Sequence, residues 1–245
     1  MLPFERKQII LEELKKGVVY ISPLAELLDV SEITVRRDLK FLEEEGRIVR
    51  LHGGAAQLVD TSRETPMDQR EILYKSEKED ISKYAANLVE DGDVIFIDSG
   101  TTNKIMLKYL VNKNISIITN GYKNIEESLN YNLDISLIGG ELKKETYAFV
   151  GAITSRVLDM YFFDKCFLGA NGIDKEFGLT NADPNESLIK EQAIRRSKKA
   201  YVLADHTKFS STSVFKFAEF KETTIITDRL LKDYSEYENI IEVKK

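Results

Sequence analysis

Apolar positions recur at helical spacing over the first residues, where Ile10, Leu14 and their neighbours mark one face and Pro3 suits the first turn. This predicts a helix over 3–16, ended by Gly17 and followed by a short β-branched and aromatic stretch, Val18-Val19-Tyr20-Ile21. Ser22-Pro23 reads as an N-cap with proline at the first helical position, opening a short helix to Leu28. Asp29-Val30 makes a turn. Ser31 is a second N-cap, and its helix runs to about Glu45 before Gly46 stops it. Residues 47–51 then predict a short strand, and His52-Gly53-Gly54 a tight reversal. Two short helices joined by a tight turn, then a strand pair with a glycine tip, describe a winged helix-turn-helix. A helix as short as the one ending at Leu28 holds only when packed on its neighbours.

Residues 56–76 are polar, contain Pro66 and lack sustained apolar spacing before Met67, which predicts a linker turning helical towards its end. From Glu77 the pattern changes: Ile81, Tyr84, Ala85, Leu88 and Val89 mark one helical face, with Gly92 closing the helix. Short β-rich runs at 94–98, 115–119, 135–139, 166–169, 201–204 and 224–227 alternate with helical segments. That alternation predicts a Rossmann-like α/β domain with a mostly parallel sheet. The expected organisation is a DNA-binding domain over 1–56, a linker over 57–76 and an α/β domain over 77–245.

Composition narrows the chemistry. A single cysteine, Cys166, excludes an intrachain disulfide and argues against a thiolate metal cage. Two histidines, His52 and His206, leave little for multi-histidine zinc sites or a Ser-His triad. No metal or other cofactor is expected. No apolar run approaches bilayer length and the start lacks the apolar segment of a signal peptide, so a soluble, cytoplasmic protein with no membrane contact is expected. The net charge is −6, and the first 55 residues hold nine basic and ten acidic side chains. Any case for nucleic acid must therefore rest on where the charges sit.

On the helix that Ser31 opens, Val35, Leu39 and Leu42 form the stripe that packs inward, while Ile33, Arg36, Arg37 and Lys40 project from the other side with Thr34 on the flank. Ile33 has no core to enter there. It suits a thymine methyl in the major groove, with Arg37 or Arg36 reading guanine or gripping phosphate. The acidic run Glu43-Glu44-Glu45 would be repelled by phosphate, so only the N-terminal half of the helix can lie on DNA. Arg47, Arg50 and His52 follow, placed to touch backbone from the wing. The competing reading is a solvated face in which Arg36 pairs with Glu32 four residues earlier.

In the second domain, the run 94–98 leads into Asp98-Ser99-Gly100-Thr101-Thr102 and then a helix through Leu110. Amides at that helix start, with the Ser99, Thr101 and Thr102 hydroxyls, make an anion site at the carboxyl end of a parallel strand, where α/β domains bind ligands. An ordinary N-cap would use some of the same residues. Polar clusters follow the other strands: Thr119-Asn120-Gly121, Gly139-Gly140-Glu141, Asn171 to Asp174, and Ala204-Asp205-His206-Thr207-Lys208. Parallel strands would bring them to one rim. Glu186 and Lys190 stand four apart, either a surface pair or a carboxylate and an ammonium in a pocket.

Ser31-Glu-Ile-Thr34-Val-Arg36-Arg37-Asp38-Leu39, followed by Leu42-Glu43, Gly46, Arg50 and His52-Gly53-Gly54-Ala55, resembles the N-terminal signature of the DeoR family of bacterial transcription regulators. The later motifs resemble that family's sensor domain, so the resemblance spans essentially the full chain. It implies a sensor fold related to ribose-5-phosphate isomerase. It also implies that the loop at 99–102 holds a phosphate, while Asn120, Gly140, Asn171, Asp174 and Lys208 enclose a phosphorylated sugar. The implied function is a homodimeric or homotetrameric repressor of a sugar or sugar-phosphate operon, bound to a double-stranded operator and released by a phosphorylated sugar without turnover. Two alternatives remain at this point. One is a sugar-phosphate isomerase-like enzyme with an accessory DNA-binding domain, using Asp98, Asp174 or Glu186 as base; the other is a winged helix that binds no small ligand.

Overall fold

The computed structural model describes residues 2–44, 47–51, 53–58 and 66–243. The chain divides into two compact units, Met1–Asp60 and Thr61–Lys245.

The first unit runs α1 (Pro3–Lys16), β1 (Val19–Tyr20), α2 (Ile21–Leu28), α3 (Glu32–Glu44), β2 (Ile48–Leu51) and β3 (Ala55–Leu58). β3 lies between β1 and β2, antiparallel to both. Ile10, Leu14, Leu24, Leu28, Val35, Leu39, Leu42 and Ile48 fill one core, so each short helix is held by the others. One boundary differs from the sequence reading. α2 begins at Ile21, so Ser22 is no cap, and Pro23 sits third in the helix, where its missing N–H would have no partner anyway. The Ile21 amide instead donates to the Gly54 carbonyl at 3.1 Å, joining the helix to the wing. Gly53 and Gly54 take φ +79° and +77°, and a Cβ on Gly54 would press on Ile21 Cδ1 at 3.1 Å. The expected helix stop at Gly46, and His52, lie outside the described residues.

The second unit opens with α4 (Met67–Ile72) and α5 (Lys75–Asn87). It continues with β4 (Val94–Ile97), α6 (Thr101–Met106), β5 (Ser116–Thr119), α7 (Tyr122–Tyr131) and β6 (Ile135–Leu137). Next come β7 (Glu141–Lys143), β8 (Ala148–Val150), α8 (Ala152–Leu158), β9 (Phe163–Leu168), β10 (Gly172–Asp174), β11 (Gly178–Asn181) and α9 (Pro184–Arg195). β12 (Ser197–Leu203), β13 (Phe215–Ala218), β14 (Thr224–Thr227) and β15 (Ile240–Glu242) complete it. Seven strands form one sheet in the order β15-β14-β12-β9-β4-β5-β6, and every neighbouring pair is parallel. Alternate residues enter two cores. Phe96, Leu168, Val202 and Ile225 face α8, α9 and the small antiparallel sheet β10-β11-β13. Ile95, Ile97, Phe167, Tyr201, Leu203 and Ile226 face α5 and α6. Both faces are covered, which is why these strands read as continuous apolar runs.

The α/β architecture agrees with the expectation, with three local differences. Gly92 does not close α5, which ends at Asn87; it makes the turn into β4 at φ +90°. β9 and β12 begin earlier than their apolar stretches, β9 with a buried and paired lysine and β12 with exposed ones. Lys165 meets Asp93 at 2.5 Å, and Asp164 meets Lys198 at 2.7 Å. The linker expected from residue 57 gives way to β3 as far as Leu58, while its helical end is α4, from Met67 as expected.

Candidate nucleic-acid interface and ligand site

α3 starts where the sequence places it. Ser31 Oγ accepts from the Thr34 amide at 3.3 Å and lies 3.0 Å from Thr34 Oγ1. Val35, Leu39 and Leu42 are buried, while Ile33 is 72% exposed beside exposed Arg36, Arg37 and Lys40. Arg36 turns back on Glu32 at 3.3 Å, the solvated pairing, and Ser22 donates to the other Glu32 oxygen at 2.6 Å. The Ser22 hydrogen bond, then Arg36, hold the Glu32 carboxyl below its ordinary pKa. Arg37 makes no ion pair within the described residues. Arg50 departs from the expectation of a free wing cation: its Nε donates to Glu43 at 2.7 Å. Exposed pairs of this kind open at little cost.

Sequence reasoning missed Asp38. It lies on the inward stripe of α3, 4% exposed, and accepts both Nε and Nη2 of Arg6 from α1. That bidentate hydrogen bonding raises the Arg6 pKa against the opposing effect of burial. The signal was present: a carboxylate three residues after Val35 and four before Leu42 falls on an apolar face and needs a partner.

In the second unit, the loops after β4, β5, β9 and β12 meet at the carboxyl rim of the large sheet. Asp98, directly after β4, is 3% exposed; its Oδ2 receives Lys190 Nζ from α9 and the Gly169 amide after β9 at 3.1 Å. Its carbonyl accepts from Asn124 of α7 at 3.0 Å, and Asn124 also donates to Thr119 Oγ1 at 2.8 Å. Gly121 approaches so closely that a Cβ there would lie 2.9 Å from Ser99 Cα. Ser99, Thr101 and Thr102 are all buried, and their hydroxyls make no hydrogen bond within the described residues. α6 starts from Gly100, which offers no side-chain cap, so its first amides are free. Asn120 donates to the Phe149 carbonyl at 3.1 Å while its buried Oδ1 has no partner.

Beyond β12, Asp205 accepts from the Thr207 amide at 3.1 Å. Burial pushes the Asp205 carboxyl up, but Lys208, Thr207, Lys78 and His206 together bring it below its ordinary pKa. Lys78 of α5 was not singled out in the sequence. It is 4% exposed, and burial is the main cause lowering its ammonium to about 8.

The remaining expected residues are placed differently. Glu186 and Lys190 are both buried but do not pair. Glu186 accepts from Thr146 at 2.6 Å and Asn181 at 3.2 Å and meets Lys143 at 3.3 Å. Asp174 sits at the β10–β11 turn, where its Oδ1 accepts the Glu176 and Phe177 amides at 2.8 and 2.9 Å. Gly140 is explained by packing, since a Cβ would fall 2.1 Å from Thr154 Oγ1. Asn171 stands next to β10, with its amide on the Thr180 carbonyl at 3.0 Å.

The rim can receive an anion on hydroxyls and amides. It is poorly arranged for proton abstraction, because Asp98, Glu186 and Asp174 are each engaged by protein partners. Among the described residues no group of histidine, cysteine and acidic side chains could hold a metal ion, and no helix is long and apolar enough to cross a membrane.

Residues 6–61 match the family model of the DeoR-like helix-turn-helix domain, and residues 74–229 that of the DeoR C terminal sensor domain. The chain is 40% identical to the uncharacterized HTH-type transcriptional regulator FruR of Bacillus subtilis (strain 168), covering 100% of both. It is 32% identical to the lactose phosphotransferase system repressor of Staphylococcus aureus (strain NCTC 8325 / PS 47), over 94% of this chain and 91% of that one. Ribose 5-phosphate isomerase A of Methanocaldococcus jannaschii is a loose structural likeness: TM-score 0.41 and 19% identity over 55% of this chain and 54% of that one. No activity follows from a likeness of that size, whereas the relatives in sequence are named as regulators, which removes the isomerase alternative. With both domain models matched and a relative aligned end to end, the chain belongs to the DeoR family of helix-turn-helix transcriptional regulators.

Proposed function

We propose that this regulator is a cytoplasmic repressor of a sugar or sugar-phosphate operon, and that a phosphorylated sugar bound at the carboxyl rim releases it from DNA. The observation that carries the ligand reading is the trio of Ser99, Thr101 and Thr102, largely buried residues whose hydroxyls have no partner among the described residues, beside the free amides of α6 and the buried, unpartnered Oδ1 of Asn120. Hydroxyls and amides left without protein acceptors or donors at a helix start suit an anion. Lys190 of α9 and Asp98, Asn120, Asn171 and Lys208 from the loops after the strands are the groups we assign to the hydroxyls of the sugar. Glu186, Gly140 and Asp174 support the loops rather than touch the ligand.

On DNA, Ile33 and Arg37 read bases in the major groove, with Arg36, Lys40 and the wing cations Arg47 and Arg50 on phosphates. Ser31 and Thr34 fix the helix start, and His52 belongs to the same wing. Two copies of the chain, or four, present recognition helices about one DNA turn (~34 Å) apart. The sugar phosphate need only favour a wrongly spaced arrangement: a coupling of roughly 1–3 kcal/mol changes operator affinity about 5- to 150-fold.

The test is a thermal-melt panel of phosphorylated sugars, each paired with its unphosphorylated parent. A ligand at a hundred times its dissociation constant adds about 2.7 kcal/mol, a visible shift. The expected result is a shift with one or two phosphosugars and none with their parents. Equal shifts from parent and phosphate would remove the anion site from the account.

A further inference from the structure

The chain enters the second unit through α4, a six-residue helix too short to persist unaided, and contacts with α5, α6 and the loop before β8 help to hold it. The Met67 side chain is fully buried and its amide donates to the Glu145 carbonyl at 2.8 Å. Glu71 pairs with Lys104 of α6 at 2.7 Å, both side chains partly exposed. Lys78 of α5 donates its Nζ to the Arg70 carbonyl. Tyr74, which with Leu73 joins α4 to α5, stands in the left-handed region at φ +51°, its ring edge-on to His206 with centroids 5.4 Å apart. A tyrosine in that region is strained and persists only while its surroundings hold it.

The same two helices that grip α4 also carry the ligand loop. Lys104 is one turn along α6 from Thr101, and residues three apart share a helix face. On α5, Ser82 lies one turn after Lys78 and donates to the Thr102 carbonyl at 2.7 Å. A charge arriving at Thr101 and Thr102 therefore acts on groups that bind α4.

We propose that α4 is a latch, and that a phosphate group at Ser99, Thr101 and Thr102 opens it by drawing Lys104 away from Glu71. A phosphate dianion one turn from Lys104 outcompetes a single, partly solvated carboxylate. With that pair gone, α4 has one tie fewer to set against the strain at Tyr74. The segment that leads to the DNA-binding unit is then less firmly tied to the sensor. This inference rests on the ligand reading above and adds the route by which occupancy leaves the site.

Hydrogen exchange on the full chain, with and without inorganic phosphate, tests it. In the wild type, phosphate should protect the amides of residues 99–103 and speed exchange at 67–72 about 2- to 5-fold, the range for losing a partly exposed ion pair. Glu71→Gln should show the faster exchange at 67–72 without phosphate, and phosphate should add nothing. Glu71→Lys combined with Lys104→Glu restores the pair but offers phosphate no cation, so α4 should stay protected throughout. Protection at 99–103 with unchanged exchange at 67–72 would overturn the latch and leave the ligand reading standing. No protection at 99–103 would overturn the ligand reading and the trigger with it. Slow exchange at 67–72 in Glu71→Gln would overturn the role of Glu71 whatever phosphate does.

Discussion

On the outer face of α3, Arg36 and Glu32 are each about half exposed and meet at 3.3 Å, whereas Lys190 and Asp98 at the carboxyl rim are sealed from solvent and pair directly. The first pair lies within one turn of one helix and exchanges freely with water or with an incoming phosphate. The second joins residues 92 apart in sequence and cannot open without leaving a charge in a low-dielectric site. A surface meant to meet a polyanion of variable sequence keeps its cations solvated. The pocket proposed for a small anion has its charges fixed in this way and leaves hydroxyls and amides unspent. The two regions thus differ less in residue types than in whether those residues are already buried with their partners.

The largest effect should come from breaking the buried side. Lys190→Met leaves Asp98 buried and unpaired and should destabilise the second unit by about 3–5 kcal/mol in urea unfolding; adding Asp98→Asn should recover much of that loss. A cost below about 1 kcal/mol for the single change would place this pair with the exposed ones.

Lys78 sharpens the same point through pH. Its pKa falls from 10.5 to about 8 on folding, so between those values the unfolded chain binds more protons than the folded one. Stability should rise across that window by roughly 3 kcal/mol on account of this group. Lys78→Met should flatten the rise, as followed by denaturant midpoints from pH 7 to 10.5. An identical slope in the variant would mean that burial does not govern Lys78.

On the exposed side the effects concern DNA. Arg37→Ala should weaken specific binding by roughly 1–3 kcal/mol, read by comparing a selected operator with unrelated DNA. Equal losses on both would reassign Arg37 from base to phosphate. Smallest is the cap: Ser31→Ala should cost about 1 kcal/mol of stability in the first unit, because one amide of α3 loses its acceptor.

Local patterns carried much of this into the sequence. α1 spans the predicted residues, β14 matches its apolar run, and Ser31 caps α3, since each depends on neighbours within a few positions. What was hidden depends on distant partners. Asp38 makes sense only with Arg6, thirty-two residues away, and Lys78 only with Asp205 and Lys208. β9 was cut short because Lys165 looks like a solvent-facing break until Asp93 is set beside it, and β12 because its early residues Lys198 and Lys199 are exposed. Asp174 has a local role that the sequence reading did not include: its Oδ1 accepts two amides of its own turn.

The central claim is that ligand occupancy of the Ser99, Thr101 and Thr102 loop controls DNA binding at α3. Its most direct test is to titrate the operator complex with the phosphosugar that stabilises the protein, for the wild type and for Thr101→Ala with Thr102→Ala. The account predicts equal operator affinity without ligand, release of the wild type, and a variant that stays bound. Release of the variant at the wild-type ligand concentration would contradict it.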